Sequence, residues 1–227
     1  SYADNNADDI TFFYETAAKK LISDDDGNLI GVSGISKGNK KINLFASNVV
    51  LASGGFEGNS EMLSHYIGPQ AQFIRPVSRG GHYNRGEGIQ MALEAGAASC
   101  GDFGSFHAQP VDPRSKDMEP VVLNYSYGLL INESGSRFTD EAPALVDSTY
   151  EAVTRIIMQQ KNGIGFAVFD NKLDDIDNWN ATVRTRVAPY QANTLQELAS
   201  LIQIHRRFYK HNDFNKACPD NQDDLTR

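Results

Sequence analysis

Cysteine is nearly missing from this sequence: Cys100 and Cys218 are the only two in 227 residues. They stand far apart, so a disulfide framework and an all-cysteine zinc site are both excluded, and the pair reads as ordinary thiols. No stretch approaches the ~20 consecutive apolar residues of a membrane span. The opening "SYADNNADDI" lacks the basic start and apolar middle of a signal peptide, which makes the cytoplasm the expected compartment. Without a signal, the Asn-x-Ser/Thr triplets at Asn124, Asn132 and Asn180 are expected to be silent. Positive charge is also short. Lys and Arg number 21 against 29 Asp and Glu, a formal charge of −8, which argues against a broad basic face for nucleic acid or anionic membrane but leaves room for a local cationic pocket. His65 and His82 show no ligand spacing, and His205 and His211 lie on a basic stretch, so no metal is expected.

What remains fits a globular chain: 40% apolar and 22% charged residues, with room for one or two domains. "ITFFYETAAKKLI" reads as a strand entering a second extended segment. "LIGVSGI" and "INLFA" are strands separated by the turns "SDDDGN" and "SKGNKK". "NVVLA" reads as a short buried strand that ends on Gly54-Gly55, either in an ordinary turn or where a phosphate- or flavin-sized ligand comes close. "NSEMLSHYIG" and "GEGIQMALEAGA" read as helices, the first capped by Asn59 or Ser60. The second places Ile89, Ala92, Leu93 and Ala97 near one face. Beyond residue 105 the texture becomes loop-like and proline-bearing. It then alternates the strands "YGLLIN" and "GFAVFD" with the helices "VDSTYEAVTRIIMQQ" and "TLQELASLIQI", and "RRFYKHNDFNKAC" reads as a helical continuation of the last. A domain boundary is therefore expected near residue 105.

Three candidate chemistries stand out. Gly34-Ile35-Ser36-Lys37-Gly38 matches the G-x-S-x-G elbow of serine hydrolases, but a strand follows it where the elbow needs a helix, so a hairpin turn is expected. His107, in "SFHAQP", sits on a loop at the proposed boundary, where a cleft would open; a hydrogen-bonded surface histidine is the alternative. In "NESGSRFTDEAP", Arg137 faces Asp140 and Glu141 at pairing distance along the chain, and a structural clip is favoured over catalysis. No G-x-G-x-x-G fingerprint is present, and the chain opens in mid-pattern, which together suggest an internal fragment.

In that order, "VVLASGGFEGN", "GEGIQMALEAGA", "HAQP" and "GSRFTDEAP" resemble the flavoprotein family of fumarate reductases and ketosteroid dehydrogenases, and look most like its tricarballylate dehydrogenase branch. The resemblance implies an α/β and α+β protein. Residues 1–105 would be a partial, Rossmann-like FAD-binding domain and residues 106–227 an α+β capping domain, with hydride passing between flavin and substrate in the cleft between them. It places FAD against Ala18, against the turn Ala52, Ser53, Gly54, Gly55 and Phe56, and against the loop Gly86, Glu87 and Gly88. His107 would bind a substrate carboxylate, and Gln109, Arg137 and Glu141 would be substrate-side or structural residues. The partners implied are a small polycarboxylate and an electron acceptor, such as a membrane-associated redox protein, with no nucleic acid and no insertion into a membrane.

The fumarate-reducing members carry a proton-donor arginine soon after "RF-x-x-E". Here "APALVDS" has none, and the next arginine is Arg155. "EPVVLNYSYG" likewise lacks their relay arginine after its glutamate. Oxidation of a polycarboxylate such as tricarballylate is thus the first expectation. A fumarate- or steroid-type enzyme, or a binding module that keeps the capping fold without chemistry, is the alternative. FAD binding is expected in the full-length enzyme and weak or absent in this fragment, which by itself would be inactive.

Overall fold

The computed structural model describes residues 9–76, 78–117 and 119–202. The expected helix "RRFYKHNDFNKAC", with His205, His211 and Cys218, lies outside the described residues. Two compact units divide the chain: one holds the residues up to Met62 together with Gly80–Asp102, the other Leu63–Arg79 and the chain from Phe103 onward.

The first unit is built on an antiparallel meander of β1 (Ala17–Ser23), β2 (Leu29–Ser36) and β3 (Lys40–Phe45), in the order β1-β2-β3. Asp24 fixes the first turn, its Oδ1 accepting from the Asp26 and Asn28 amides at 3.1 and 2.7 Å. A register shift between Ala18 and Lys20 interrupts the edge strand β1. Ser36 ends β2 and pairs with Lys40 of β3, with only the short turn Lys37–Asn39 between them. The G-x-S-x-G match is therefore a hairpin, and no helix follows it to present a nucleophile.

The expected buried strand "NVVLA" does not form: Val50 is 87% exposed and Leu51 42% exposed, and neither belongs to a strand. Its apolar run is that of a strand covered on both faces, but a strand needs a neighbour to receive its N–H and C=O groups, and no ladder partner exists among the described residues. The helix α1 (Ser60–Ile67) carries the chain into the second unit, and Asn59 caps it by accepting from the Glu61 and Met62 amides. Helix α2 (Glu87–Glu94) packs against β1. Its buried stripe is Gly88 and Met91, whereas Leu93 and Ala97, expected on the inner face, are exposed. The helix ends in a Schellman motif, with Gly96 N–H on the Leu93 carbonyl and Ala97 N–H on that of Ala92.

The second unit centres on the antiparallel pair β4 (Leu129–Ile131) and β5 (Phe166–Val168). Alternation along β4 divides its side chains between two layers. Leu130 joins Tyr125 and Val153 in the core, packed by Tyr150 and Ile157 of α3 (Val146–Met158) at helical spacing. Leu129 and Ile131 instead line a small apolar cavity together with Leu195, Leu198 and Ala199 of α4 (Leu195–Leu201), which Thr194 caps by accepting from the Glu197 amide at 3.2 Å. Asn124, 3% exposed, lies beside Tyr125. Asn132 closes the next turn, its Oδ1 accepting from the Ser134 and Ser136 amides and its Nδ2 donating to Gln160.

Candidate functional site

Within the first unit, the turn at residues 52–58 and the loop at 84–88 are stapled together. Gly86 N–H donates to the Gly55 carbonyl at 3.1 Å, Gly58 N–H to the Asn84 carbonyl at 2.8 Å, and Asn84 Nδ2 to Glu57 Oε1 at 2.7 Å. Asn59 Nδ2 adds a bond to the Arg85 carbonyl at 2.8 Å. The two glycine-bearing segments differ in what their glycines do. A Cβ on Gly88 would stand 2.1 Å from Ser53 Oγ, so that glycine lets the first turn of α2 sit directly on the turn; Gly86 is likewise buried against Met62. Gly54 has φ +79, a conformation that L side chains rarely adopt. Residues 52–55 are exposed, which leaves Gly54 and Gly55 as open main chain on the surface of the unit, while Phe56 is half-buried. Glu87 accepts from the Arg85 amide at 3.2 Å. Ala18 is exposed on β1, opposite Gly34, on the strand that α2 covers.

In the second unit, the loop carrying His107 is fastened to α3. The Arg155 guanidinium donates to the Phe106 carbonyl, lies 4.5 Å from the centre of the Phe106 ring, and reaches Glu151 Oε1 at 2.8 Å. Glu151 Oε2 is 3.2 Å from His107 Nδ1, and the Tyr150 hydroxyl 2.8 Å from His107 Nε2. The imidazole is thereby held edge-on to Tyr150 while its side chain stays 69% exposed. Hydrogen bonds from Arg155 and then from His107 hold the Glu151 carboxyl below its ordinary range, so it faces the ring as an anion.

Tyr150, Glu151 and Arg155 were not legible as partners of His107. They stand 43 to 48 positions along the chain from it, and only the i, i+4 spacing of Glu151 and Arg155 was a local signal. Gln109 is half-buried on the same loop.

Arg137 and Glu141 form a two-pronged pair. Nη2 donates to Oε2 at 2.6 Å and Nε to both carboxylate oxygens at 3.1 Å, and Glu141 Oε1 also accepts from the Leu130 amide at 2.7 Å. Glu141 is 3% exposed, so its carboxylate anchors the strand β4 to the turn that follows it. Asp140 is exposed and accepts from the Ala142 amide. Among the described residues no group of three or more metal-ligating side chains occurs, and no helix is long and apolar enough to cross a membrane.

A profile of the FAD binding domain matches residues 1–208. The chain belongs to this family. Its cofactor is FAD, and the exposed main chain at Gly54, whose φ is positive, and at Gly55 beside it fits a ligand that must approach the backbone closely. A vinyl phenol reductase of Lactiplantibacillus plantarum is 26% identical over 92% of this chain and 48% of its own length. A probable fumarate reductase of Shewanella frigidimarina is 28% identical over 68% of this chain and 25% of its own, and an NADH:acrylate oxidoreductase of Vibrio harveyi 26% over 84% and 19%. The chain thus spans about half the length of the first relative and a quarter or less of the other two. Among solved structures, a 3-ketosteroid-Δ4-(5α)-dehydrogenase from Rhodococcus jostii superposes with a TM-score of 0.58 at 21% identity, over 85% of this chain and 37% of that one. The open conformation of a flavocytochrome c3 fumarate reductase gives 0.55 at 23% identity, over 70% and 27%. Both show the fold, a mixed arrangement of helices and small sheets belonging to a partial FAD-binding domain.

Proposed function

We propose that the flavoprotein to which this chain belongs exchanges a hydride between FAD and a carbon of a small polycarboxylate, tricarballylate being the first candidate, and that His107 holds one substrate carboxylate. Bound FAD would supply the hydride acceptor, held at the open main chain of residues 52–55 and by the loop 86–88. The observation that carries the reading is an exposed imidazole fixed in orientation by Tyr150 and Glu151 on a loop that Arg155 clamps to α3. An imidazole so held, once its Nε2 is protonated, donates to an anion without a large loss of rotamer freedom. The names of the relatives support the broader chemistry, flavin-linked redox at a carbon–carbon bond, since vinyl phenol, fumarate and acrylate each offer a double bond beside an activating group.

Reduction of a fumarate-type acid is the weaker direction. It needs a proton donor near the substrate, and Arg155, the first arginine after Glu141, is committed to the Phe106 carbonyl and to Glu151. The electron acceptor belongs to the complete protein, and a cytoplasmic location goes with this reading.

The test is His107→Ala in the complete flavoprotein. A charge-assisted hydrogen bond contributes about 1.5–3 kcal/mol, so kcat/KM for tricarballylate should fall roughly ten- to a hundredfold, with FAD content and melting temperature unchanged. An unaltered kcat/KM removes His107 from the substrate, and loss of flavin or of folding makes it structural.

A further inference from the structure

The His107 ring is bonded at both nitrogens, and the two partners are not equivalent. An ionised carboxylate can only accept, so Glu151, held as an anion by Arg155, requires that Nδ1 carry a hydrogen. In the neutral ring Nε2 is then an acceptor, and it receives the Tyr150 hydroxyl at 2.8 Å. A carboxylate ligand is also an acceptor and cannot bond to such an Nε2. It can do so only once that nitrogen is protonated too, with Nδ1–H still on Glu151. The charged and titratable groups facing the ring among the described residues are Tyr150 and Glu151, with Arg155 behind Glu151, and all three lie on α3.

We propose that Glu151 is a positioning residue that locks His107 in its Nδ1–H tautomer, so that the loop takes up one proton from solvent with each carboxylate it binds at Nε2. This rests on the reading of His107 as the carboxylate ligand. Glu151 touches neither substrate nor flavin in this scheme. It acts by dictating which ring nitrogen carries the hydrogen, and Arg155 acts by keeping Glu151 anionic and the Phe106 carbonyl in place. The Tyr150 hydroxyl occupies Nε2 until the ligand displaces it. Removing the negative charge while keeping the shape of Glu151 releases the lock, because a glutamine can turn its NH2 toward Nδ1 and so permit an Nε2–H ring that donates while neutral.

Ring ¹⁵N NMR of histidine-labelled full-length chain, supplied with FAD, tests this directly, the His107 signals being assigned by their loss in His107→Gln. Spectra are taken at a pH where the free His107 ring is observed neutral. In the wild type the free ring should show the Nδ1–H tautomer, and saturating tricarballylate should convert it to the doubly protonated form. In Glu151→Gln the ring should bind tricarballylate as the neutral Nε2–H tautomer, and the uptake of one proton per ligand should fall to none. A wild-type ring found free as Nε2–H, or one that binds tricarballylate while staying neutral, overturns the proposal. Wild-type His107 signals that do not move with tricarballylate overturn instead the carboxylate reading on which it rests. The free-ring tautomer in the two proteins still decides whether Glu151 sets it.

Discussion

Glu141→Ala is the sharpest test of how the second unit is held together. The substitution removes four hydrogen bonds at once: the one from the Leu130 amide and the three from Arg137. Leu130 is a core residue of β4, 3% exposed, so its N–H would be stranded away from water. A buried donor left unpaired costs about 1–3 kcal/mol. Breaking a fully buried ion pair by deleting one partner costs about 3–5 kcal/mol, but the Arg137 side chain is 36% exposed and water can take over part of its bonding. The sum should come to about 3 kcal/mol, which for a unit of this size lowers the melting temperature by roughly 6–12 °C. Glu141→Gln keeps an oxygen for Leu130 and loses only the charge, so it should fall by about half as much. Thermal unfolding followed by circular dichroism measures both. If Glu141→Ala melts within about 2 °C of the wild type, the carboxylate is not holding β4 and the clip has been misjudged.

Two further substitutions probe the first unit and the acid behaviour of the second. Gly54→Val in the complete flavoprotein should abolish FAD content, read from the flavin absorption of the purified protein. Valine is excluded from φ +79, and its Cβ would lie 3.0 Å from Asn84 Nδ2; normal flavin content would detach the turn from the cofactor. The Asp112 carboxyl is pushed up by burial, but hydrogen bonds from the Arg114 side chain and amide and from Thr185, with the Arg114 charge, outweigh this and hold it below its ordinary value. A depressed folded pKa gives stability that is present above the unfolded value of about 3.9 and is lost as pH falls through the folded value. Asp112→Asn should therefore lower the urea midpoint at pH 7, and its gap to the wild type should narrow as pH falls below the unfolded value of about 3.9; parallel curves on both sides of that pH would rule out the linkage.

Much of the local structure could be read from the chain, and what failed did so for want of long-range partners. The hairpins around Asp26-Gly27 and Lys37–Asn39 and the Asn59 cap rest on residues close in sequence, and they form where the sequence puts them. So does the Arg137–Glu141 pair, four residues apart. The segment "NVVLA" misled because apolar content states what a strand would bury but not which neighbour would pair with it. On α2 the inner face shifted because Gly88, which carries no apolar signal, is the residue that meets Ser53. The surroundings of His107 come from a helix more than 40 positions away, and the bond of Thr185 to Asp112 spans 73. No periodicity in a single chain encodes such pairings.

The asparagine geometry has a consequence for how the protein can be made. In a eukaryotic secretory lumen, oligosaccharide is attached to Asn-x-Ser/Thr while the chain is still unfolded, so acceptor choice precedes any shielding by structure. Asn124-Tyr125-Ser126 would receive a bulky hydrophilic group on a side chain that must end 3% exposed beside Tyr125. At Asn132-Glu133-Ser134 the sugar would be joined to the amide nitrogen that donates to Gln160, beside an oxygen that closes the turn. Only the exposed Asn180 could carry a glycan without displacing packed atoms. Production by that route would yield a misfolded, modified population unless Asn124 and Asn132 lost their acceptor context, for instance through Ser126→Ala and Ser134→Ala, whereas a bacterial cytosol imposes no such requirement.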